Sequence, residues 1–170
     1  DQILYPSMDQ MLSEDFPPGH RLSKAHLLRE NYTSQDLLKV LASVGLTELP
    51  VRVGDGDPMR GLTRVIDWSN TLSLGEQQRL AFCRVLVNRP HLVICDEATS
   101  ALDMEAERNM YELVKLNVPD ATIVSVGHRP SLIRYHEFRL RVNQENCEWS
   151  KIDAALMKEI EGSILMDNTN

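Results

Sequence analysis

The sequence is poor in aromatic residues and cysteines, and it has no long apolar run. Phe, Trp and Tyr make up 5% of the 170 residues, against 42% for all hydrophobic types, which favours an α/β or α-rich fold over a β-sandwich. The cysteines Cys83, Cys95 and Cys147 are too widely spaced for a metal motif, so we predict small buried side chains. No apolar run approaches the roughly 20 residues that a membrane-spanning helix needs.

The sequence also lacks an excess of positive charge. Its 18 Lys and Arg residues against 25 Asp and Glu residues give a formal net charge of −7. A protein that binds nucleic acid through the phosphates presents a basic surface. The charge balance therefore predicts that nucleic acid is not a partner.

The second half of the chain has a strand–helix–strand pattern. The apolar runs Leu92–Cys95 and Thr122–Val126 do not alternate with polar residues, which predicts two strands buried on both faces of a parallel sheet. Between them, Asp103–Leu116 is acidic in its first turn, where a helix dipole favours negative charge. The predicted inner face of this helix consists of Ala106, Met110 and Leu113. The βαβ order predicts an α/β fold with a right-handed crossover.

Two further helices are predicted from their start signals and apolar spacing. Thr33 or Ser34 can cap a helix whose apolar residues repeat at helical spacing until Gly45 stops the run. A small Ser-x-Gly turn opens a second helix, from Gly75 to Asn88, and Pro90 ends it. The first turn of such a helix exposes backbone N–H groups that can face an anion.

The remaining segments lie towards the two ends of the chain. Residues 7–32 are polar and broken by Pro17-Pro18-Gly19, which predicts a long surface loop. Glu137–Val142 and Cys147–Ile152 have the composition of a closing hairpin. Asp153–Leu165 is predicted to be a C-terminal helix.

Three chemical features follow one another between Leu72 and Asp103. The anion-facing turn at Ser73 comes first, and the strand from Leu92 then ends in the adjacent carboxylates Asp96 and Glu97. Paired carboxylates at the end of a buried strand suit Mg²⁺ binding and the positioning of a water molecule. The acidic turn that ends at Asp103 starts the next helix.

This order resembles that of the ATP-binding cassette (ABC) ATPases. Leu72–Glu76 resembles their signature motif, Leu92–Glu97 their Walker B motif, Ser100–Asp103 their D-loop and His128 their switch histidine. Asp67-Trp68 before the signature, and the wording Gly-His-Arg-Pro-Ser-Leu around the histidine, are most similar to the D subfamily. That subfamily contains peroxisomal acyl-CoA half-transporters and their bacterial and plastid relatives. The resemblance runs from the first residue to about residue 140.

The resemblance implies an α/β fold, an incomplete P-loop NTPase (RecA-like) parallel sheet with helices plus the ABC helical subdomain. We expect residues 1–74 to form that helical (signature) subdomain, with an extended loop at residues 7–32. Residues 75–170 would then be the C-terminal part of the RecA-like ATPase core, with the hairpin and the final helix.

The resemblance also implies a role for each residue at the end of the two strands. Asp96 would hold Mg²⁺ through water, and Glu97 would orient or deprotonate the attacking water. His128 would hydrogen-bond the γ-phosphate of ATP and help to arrange the water. Glu97 and His128 are therefore the expected catalytic residues.

A second set of residues would act on the ATP held by the opposite subunit. In the family, Ser73, Gly75 and Glu76 belong to the motif that binds the γ-phosphate, and Asp103 contacts the partner's site. Leu74 departs from the usual Leu-Ser-Gly-Gly pattern, because it replaces the first glycine. A positive φ at that position would be strained for leucine.

One motif of such a site is missing from the sequence. No Gly-x-x-x-x-Gly-Lys-Ser/Thr stretch occurs in the 170 residues, so the P-loop that grips the phosphates is not among them. The Q-loop and the adenine-stacking aromatic also lie upstream in relatives, and Gln2 is not the Q-loop glutamine. Since the sequence begins at Asp1, in mid-motif, we expect a fragment of a longer half-transporter that by itself hydrolyses ATP negligibly.

The expected function is that of an ABC half-transporter ATPase, of which this chain is the C-terminal portion. The expected cofactors are ATP and Mg²⁺, and the expected partners are a second nucleotide-binding domain, in a homo- or heterodimer, a membrane-spanning domain and a transported substrate such as fatty acyl-CoA or another lipid-like cargo. The ATPase domain would face the cytosol at a peroxisomal, plastid or bacterial inner membrane. Two alternatives stay open: a soluble ABC ATPase that is not a transporter, and a non-catalytic interaction module derived from the fold.

Overall fold

The computed structural model describes residues 32–142 and 146–158, which form two compact units. The first unit contains the described residues up to Val93 together with Ala98–Thr122. The second contains Ile94–Glu97 and the described residues from Ile123 onward. The loop predicted within residues 7–32, the hairpin turn and the end of the C-terminal helix lie almost entirely outside the described residues.

The first unit is mainly helical, and its longest helix is central. Its helices are α1 (Ser34–Ser43), α2 (Leu49–Val53), α3 (Pro58–Thr63), α4 (Trp68–Thr71), α5 (Leu74–Asn88) and α6 (Met104–Asn117). Helices α1, α4 and α6 pack against α5, and α2 packs against α3. The predicted start of α1 is confirmed, because Thr33 Oγ1 accepts the Asp36 N–H and the Asp36 carboxylate accepts the Thr33 N–H.

The inner face of α6 differs from the prediction. Ala106 and Leu113 are only half-buried, whereas the fully buried positions are Glu107, Met110, Tyr111 and Val114. Two contacts of α6 explain why this face of the helix points inward. The Thr99 hydroxyl donates to Glu107 Oε2 at 3.0 Å, and the Tyr111 ring packs edge-on against Phe82 at a centroid distance of 6.0 Å. A buried carboxylate with a hydroxyl partner is invisible to a pattern that counts only apolar residues.

The two strands β1 (Leu92–Asp96) and β2 (Thr122–Val126) are neighbours in a sheet and run parallel. The Thr122 N–H donates to the His91 carbonyl, and the Glu97 N–H donates to the Val126 carbonyl, each at 2.9 Å, so the register advances in the same direction on both strands. The predicted strand–helix–strand order is thereby confirmed.

The prediction that both strands are buried on both faces is wrong. In β1, Val93 and Cys95 are buried but Ile94 is 68% exposed, and in β2 Val124 and Val126 are exposed. Within the described residues this sheet has two strands. A sheet of that width leaves apolar side chains of both strands uncovered.

The second unit closes with a 3₁₀ helix and a hairpin. Residues Pro130–Tyr135 form the 3₁₀ helix, and β3 (Phe138–Val142) pairs antiparallel with β4 (Cys147–Lys151). The predicted hairpin is confirmed, with Leu140 opposite Trp149 in its register. Residues 154–158 are helical, as predicted for the start of the C-terminal helix. Among the described residues, no helix combines the length and apolar character needed to cross a membrane.

The close contact between α2 and α3 depends on glycine. A Cβ placed on Gly61 would lie 1.9 Å from the Pro50 carbonyl oxygen, and one on Gly54 would lie 2.0 Å from the Asp57 carbonyl oxygen. Both neighbours are backbone atoms, which cannot move aside as a flexible side chain would. The two short helices can pack only where a side chain is missing.

Gly61→Ala is therefore expected to destabilise the chain by about 3 kcal/mol, at the upper end of overpacking effects. Gly56→Asn is the control: no atom lies within 4 Å of a Cβ at that position, so only its positive φ opposes the change, at a cost of about 1 kcal/mol. Chemical unfolding of both variants measures the difference. Equal stabilities of the two variants would contradict the close α2–α3 contact.

The cysteines give a second test of the fold. Cys83 and Cys95 are buried as predicted, but Cys147 is exposed on β4, so that part of the prediction is wrong. Burial raises the pKa of the Cys83 thiol to about 12, so the reactive thiolate is scarce at ordinary pH.

In native protein at pH 8, iodoacetamide should modify Cys147 rapidly and leave Cys83 and Cys95 protected until denaturant is added. Rapid native labelling of Cys83, measured by mass spectrometry, would contradict this packing.

Candidate functional site

The second unit places the two predicted carboxylates at the end of β1. Asp96 is the last residue of the strand, Glu97 follows it, and both are exposed. The backbone of Glu97 has a φ of 45°, in the left-handed region that non-glycine residues seldom occupy. The bond from its N–H to the Val126 carbonyl holds this conformation. Backbone strain of this kind is concentrated at functional sites.

The structure brings His128 to the same place. His128 Nε2 lies 3.4 Å from Glu97 Oε1, and the side chains are 95% and 53% exposed. The histidine comes two residues after β2, and Gly127 precedes it at a crowded position, where a Cβ would lie 2.5 Å from Leu132 Cδ1. Because the carboxyl ends of neighbouring parallel strands meet at one sheet edge, the acid pair and the imidazole share a solvent-accessible surface.

The carboxylate of Asp96 is chemically suited to Mg²⁺. Among the residues that the structure describes, no group of three or more His, Cys, Asp or Glu side chains could hold a metal ion. Mg²⁺ does not need such a cage, because it keeps several waters and takes one or two carboxylates plus substrate phosphate oxygens. An exposed carboxylate at the end of a strand is therefore a ligand of the kind that the predicted ion takes.

In the first unit, Ser73 is the N-cap of α5. Its Oγ accepts the N–H of Glu76 at 3.3 Å, and the Ser73 N–H donates to Glu76 Oε2 at 2.9 Å. The next two N–H groups, of Leu74 and Gly75, have no acceptor inside an α-helix. An exposed hydroxyl and these N–H groups thus lie together at the positive end of a 15-residue helix.

Glu76 supports this helix end and is itself held by Arg52. Arg52 Nη2 donates to Glu76 Oε1 at 2.8 Å, while Oε2 accepts the Ser73 N–H. Burial by itself raises the pKa of Glu76, but the Ser73 hydrogen bonds and the Arg52 guanidinium outweigh it and hold the pKa below its ordinary value of 4.5. Arg52 also neutralises a negative charge that would otherwise repel an anion at Ser73.

The departure at Leu74 causes no strain. Leu74 is the first residue of α5, its side chain is 59% exposed, and the described non-glycine residues with positive φ are Asp55, Arg89 and Glu97. Gly75 matters for another reason, since a Cβ there would lie 3.3 Å from the Ala101 carbonyl oxygen. Leucine is thus compatible with the helix start that this motif requires.

Asp103 caps the next helix. Its Oδ1 accepts the Ala106 N–H at 2.8 Å. The turn that precedes Asp103 includes the buried Thr99.

The predicted site residues thus form two groups, one in each unit. The second unit contains Asp96, Glu97 and His128, and the first contains Ser73, Gly75, Glu76 and Asp103. Sequence reasoning missed Arg52, Gln78 and Glu107, whose partners are revealed only by the folded chain.

The Glu76 contacts can be tested by their pH dependence. Glu76→Gln is expected to destabilise the chain by about 1 kcal/mol at pH 7, because an amide cannot replace charge-assisted bonds from Ser73 and Arg52. Folding lowers the pKa of Glu76, so its charge stabilises the fold above pH 4.5, and that stabilisation is lost as the pH falls through the folded-state pKa. Urea unfolding of variant and wild type should differ at pH 7 and converge in acid.

Glu105→Gln is the matched control, since Glu105 is an exposed first-turn glutamate of α6. Its effect should stay within about 0.5 kcal/mol at either pH. If Glu76→Gln and Glu105→Gln gave the same pH profile, the supporting role of Glu76 would be refuted.

Known proteins of similar sequence are ABC transporters. The family model for ABC transporters matches residues 10–100. "ABC transporter D family member 2, chloroplastic" of Arabidopsis thaliana is 36% identical over 166 residues, which are 90% of this chain and 22% of that protein. "Lysosomal cobalamin transporter ABCD4" of Mus musculus is 35% identical over 146 residues, 84% of this chain and 20% of that protein. The chain thus spans about a fifth of the length of these relatives.

The fold has a counterpart among solved structures. The structure of a bacterial Atm1-family ABC exporter with ATP bound matches with a TM-score of 0.59 at 23% identity, covering 82% of this chain and 23% of that one. This likeness confirms the predicted P-loop NTPase fold of an ABC nucleotide-binding domain. With the family model matching more than half of its residues, the chain belongs to the ABC transporter family.

Proposed function

We propose that this chain is the C-terminal part of the ATP-hydrolysing nucleotide-binding domain of a D-type ABC half-transporter. The observation that carries the proposal is the pairing of Glu97 and His128 at 3.4 Å beside Asp96. The left-handed backbone of Glu97 supports it, since a strained glutamate at a sheet edge gains nothing for packing.

Each of the three residues has a distinct task in this proposal. The Glu97 carboxylate orients the attacking water and accepts its proton, and the nearby imidazole of His128 donates to the γ-phosphate. Asp96 would hold Mg²⁺ through water, and the chemistry supplied by the bound ion would be positive charge beside the phosphates. Both catalytic side chains are exposed, as they must be to meet a nucleotide.

The start of α5 would serve the nucleotide held by a second nucleotide-binding domain. Ser73 Oγ and the N–H groups of Leu74 and Gly75 would bind its γ-phosphate, with Glu76 and Arg52 fixing the helix end. Asp103 would contact the partner's site. Residues 1–74 would be the helical subdomain, and residues 75–170 the C-terminal part of the RecA-like core.

The wider assembly follows from the same proposal. A homo- or heterodimer of nucleotide-binding domains would drive a membrane-spanning domain, with the ATPase facing the cytosol at a peroxisomal, plastid or bacterial inner membrane. Fatty acyl-CoA or another lipid-like molecule is the proposed cargo. A relative named as a cobalamin transporter is 35% identical over 84% of this chain, so other parts of the protein would select the cargo.

Turnover by the complete transporter polypeptide tests the proposal. Glu97→Gln should lower kcat for ATP by roughly 100-fold or more while ATP binding is retained, since only proton acceptance is lost. His128→Ala should also lower kcat, and Glu112→Gln, on the exposed side of α6, should not. An unchanged kcat in Glu97→Gln would refute the role proposed for Glu97, and a wild-type polypeptide without ATP turnover would favour the non-catalytic module.

A further inference from the structure

The side-chain amide of Gln78 bonds at both ends to the turn before α6. Gln78 Nε2 donates to Ser100 Oγ at 2.9 Å, and the Ala101 N–H donates to Gln78 Oε1 at 3.0 Å. Gln78 lies on the second turn of α5, whereas its partners are 22 and 23 residues further along the chain. A bidentate amide of this kind fixes both the distance and the orientation of the segment that it holds.

The turn also lies directly against the start of α5. A Cβ on Gly75 would lie 3.3 Å from the Ala101 carbonyl oxygen and 3.6 Å from Leu102 Cδ2, so the absence of a side chain allows the approach. Leu102 is 6% exposed, so its side chain is buried next to this contact. Gly75 and Gln78, three residues apart on one helix, therefore contact the same short segment.

The other side of the turn is fixed to α6. The Thr99 hydroxyl donates to Glu107 Oε2, with both residues almost completely buried, and the Leu102 N–H donates to the Thr99 carbonyl at 3.0 Å. Asp103 then caps α6. Thr99 and Asp103 thus anchor the turn to α6, and Gln78 ties it to α5.

We propose that Gln78 is a positioning residue. Its amide holds Asp103, the D-loop aspartate, at a fixed position relative to the phosphate-binding start of α5 at Ser73. This role rests on the proposed function, in which Ser73 and Asp103 both meet the nucleotide site of a partner domain. With the amide in place, a phosphate seated at Ser73 also sets the position of Asp103. Without it, the two contacts can be made separately, and the closed site forms less often.

The first test measures the link itself in this chain. Gln78→Met keeps the length of the side chain and removes both hydrogen bonds, so hydrogen exchange at the Ala101 amide should speed up by roughly fivefold. Gln78→Glu retains an acceptor for that N–H and should restore most of the protection. Gln77→Met is the control, because the Gln77 amide bonds to the Leu72 carbonyl instead. Unchanged exchange in Gln78→Met would overturn the link.

The second test measures positioning in the complete transporter. Gln78→Met should lower kcat by roughly three- to tenfold and leave KM for ATP within about twofold, because the main grip on ATP belongs to the P-loop, which this chain does not contain. Gln78→Glu should recover kcat, and Gln35→Met, on the exposed face of α1, should match the wild type. Faster exchange with unaltered kcat would overturn the positioning role. A wild-type transporter without ATP hydrolysis would refute the proposed function but leave the exchange result standing.

Discussion

The parallel pairing of β1 and β2 is the constraint on which the candidate catalytic surface depends. Two backbone bonds at opposite ends of the pair, from Thr122 to His91 and from Glu97 to Val126, fix the register. That register places the residues after both strands at one edge, so an acid pair and a histidine about 30 residues apart become neighbours. A shift of one residue along either strand would turn its side chains to the opposite face of the sheet and remove this alignment.

Helix capping has the same importance in the first unit. Thr33, Asp57, Asp67, Ser73 and Asp103 each accept a backbone N–H at the start of a helix. Two of these caps, at Ser73 and Asp103, coincide with predicted binding residues. A cap and an anion site draw on the same unsatisfied N–H groups, so the chemistry that starts the helix also prepares the site.

Local patterns predicted much of this structure, and non-local contacts explain the rest. Cap residues and apolar spacing involve residues only a few positions apart in the sequence. For that reason the starts of α1, α5 and α6, the two strands and the hairpin could be predicted. The burial of β1 and β2 could not, because it depends on what covers the sheet. The rotation of α6 follows from a hydroxyl–carboxylate pair, and Arg52 and Gln78 act on partners more than 20 residues away. The order of the motifs predicted which side chains belong to the candidate site, but not the contacts that hold them.

The backbone conformation of Glu97 lowers the stability of the fold at a residue that the proposed reaction requires. A Cβ in the left-handed region costs about 1 kcal/mol, and glycine or asparagine would relieve it. A stability screen of this chain would accordingly select against glutamate at a position that the proposed reaction requires. Selection for thermal stability alone would favour a more stable protein that no longer hydrolyses ATP.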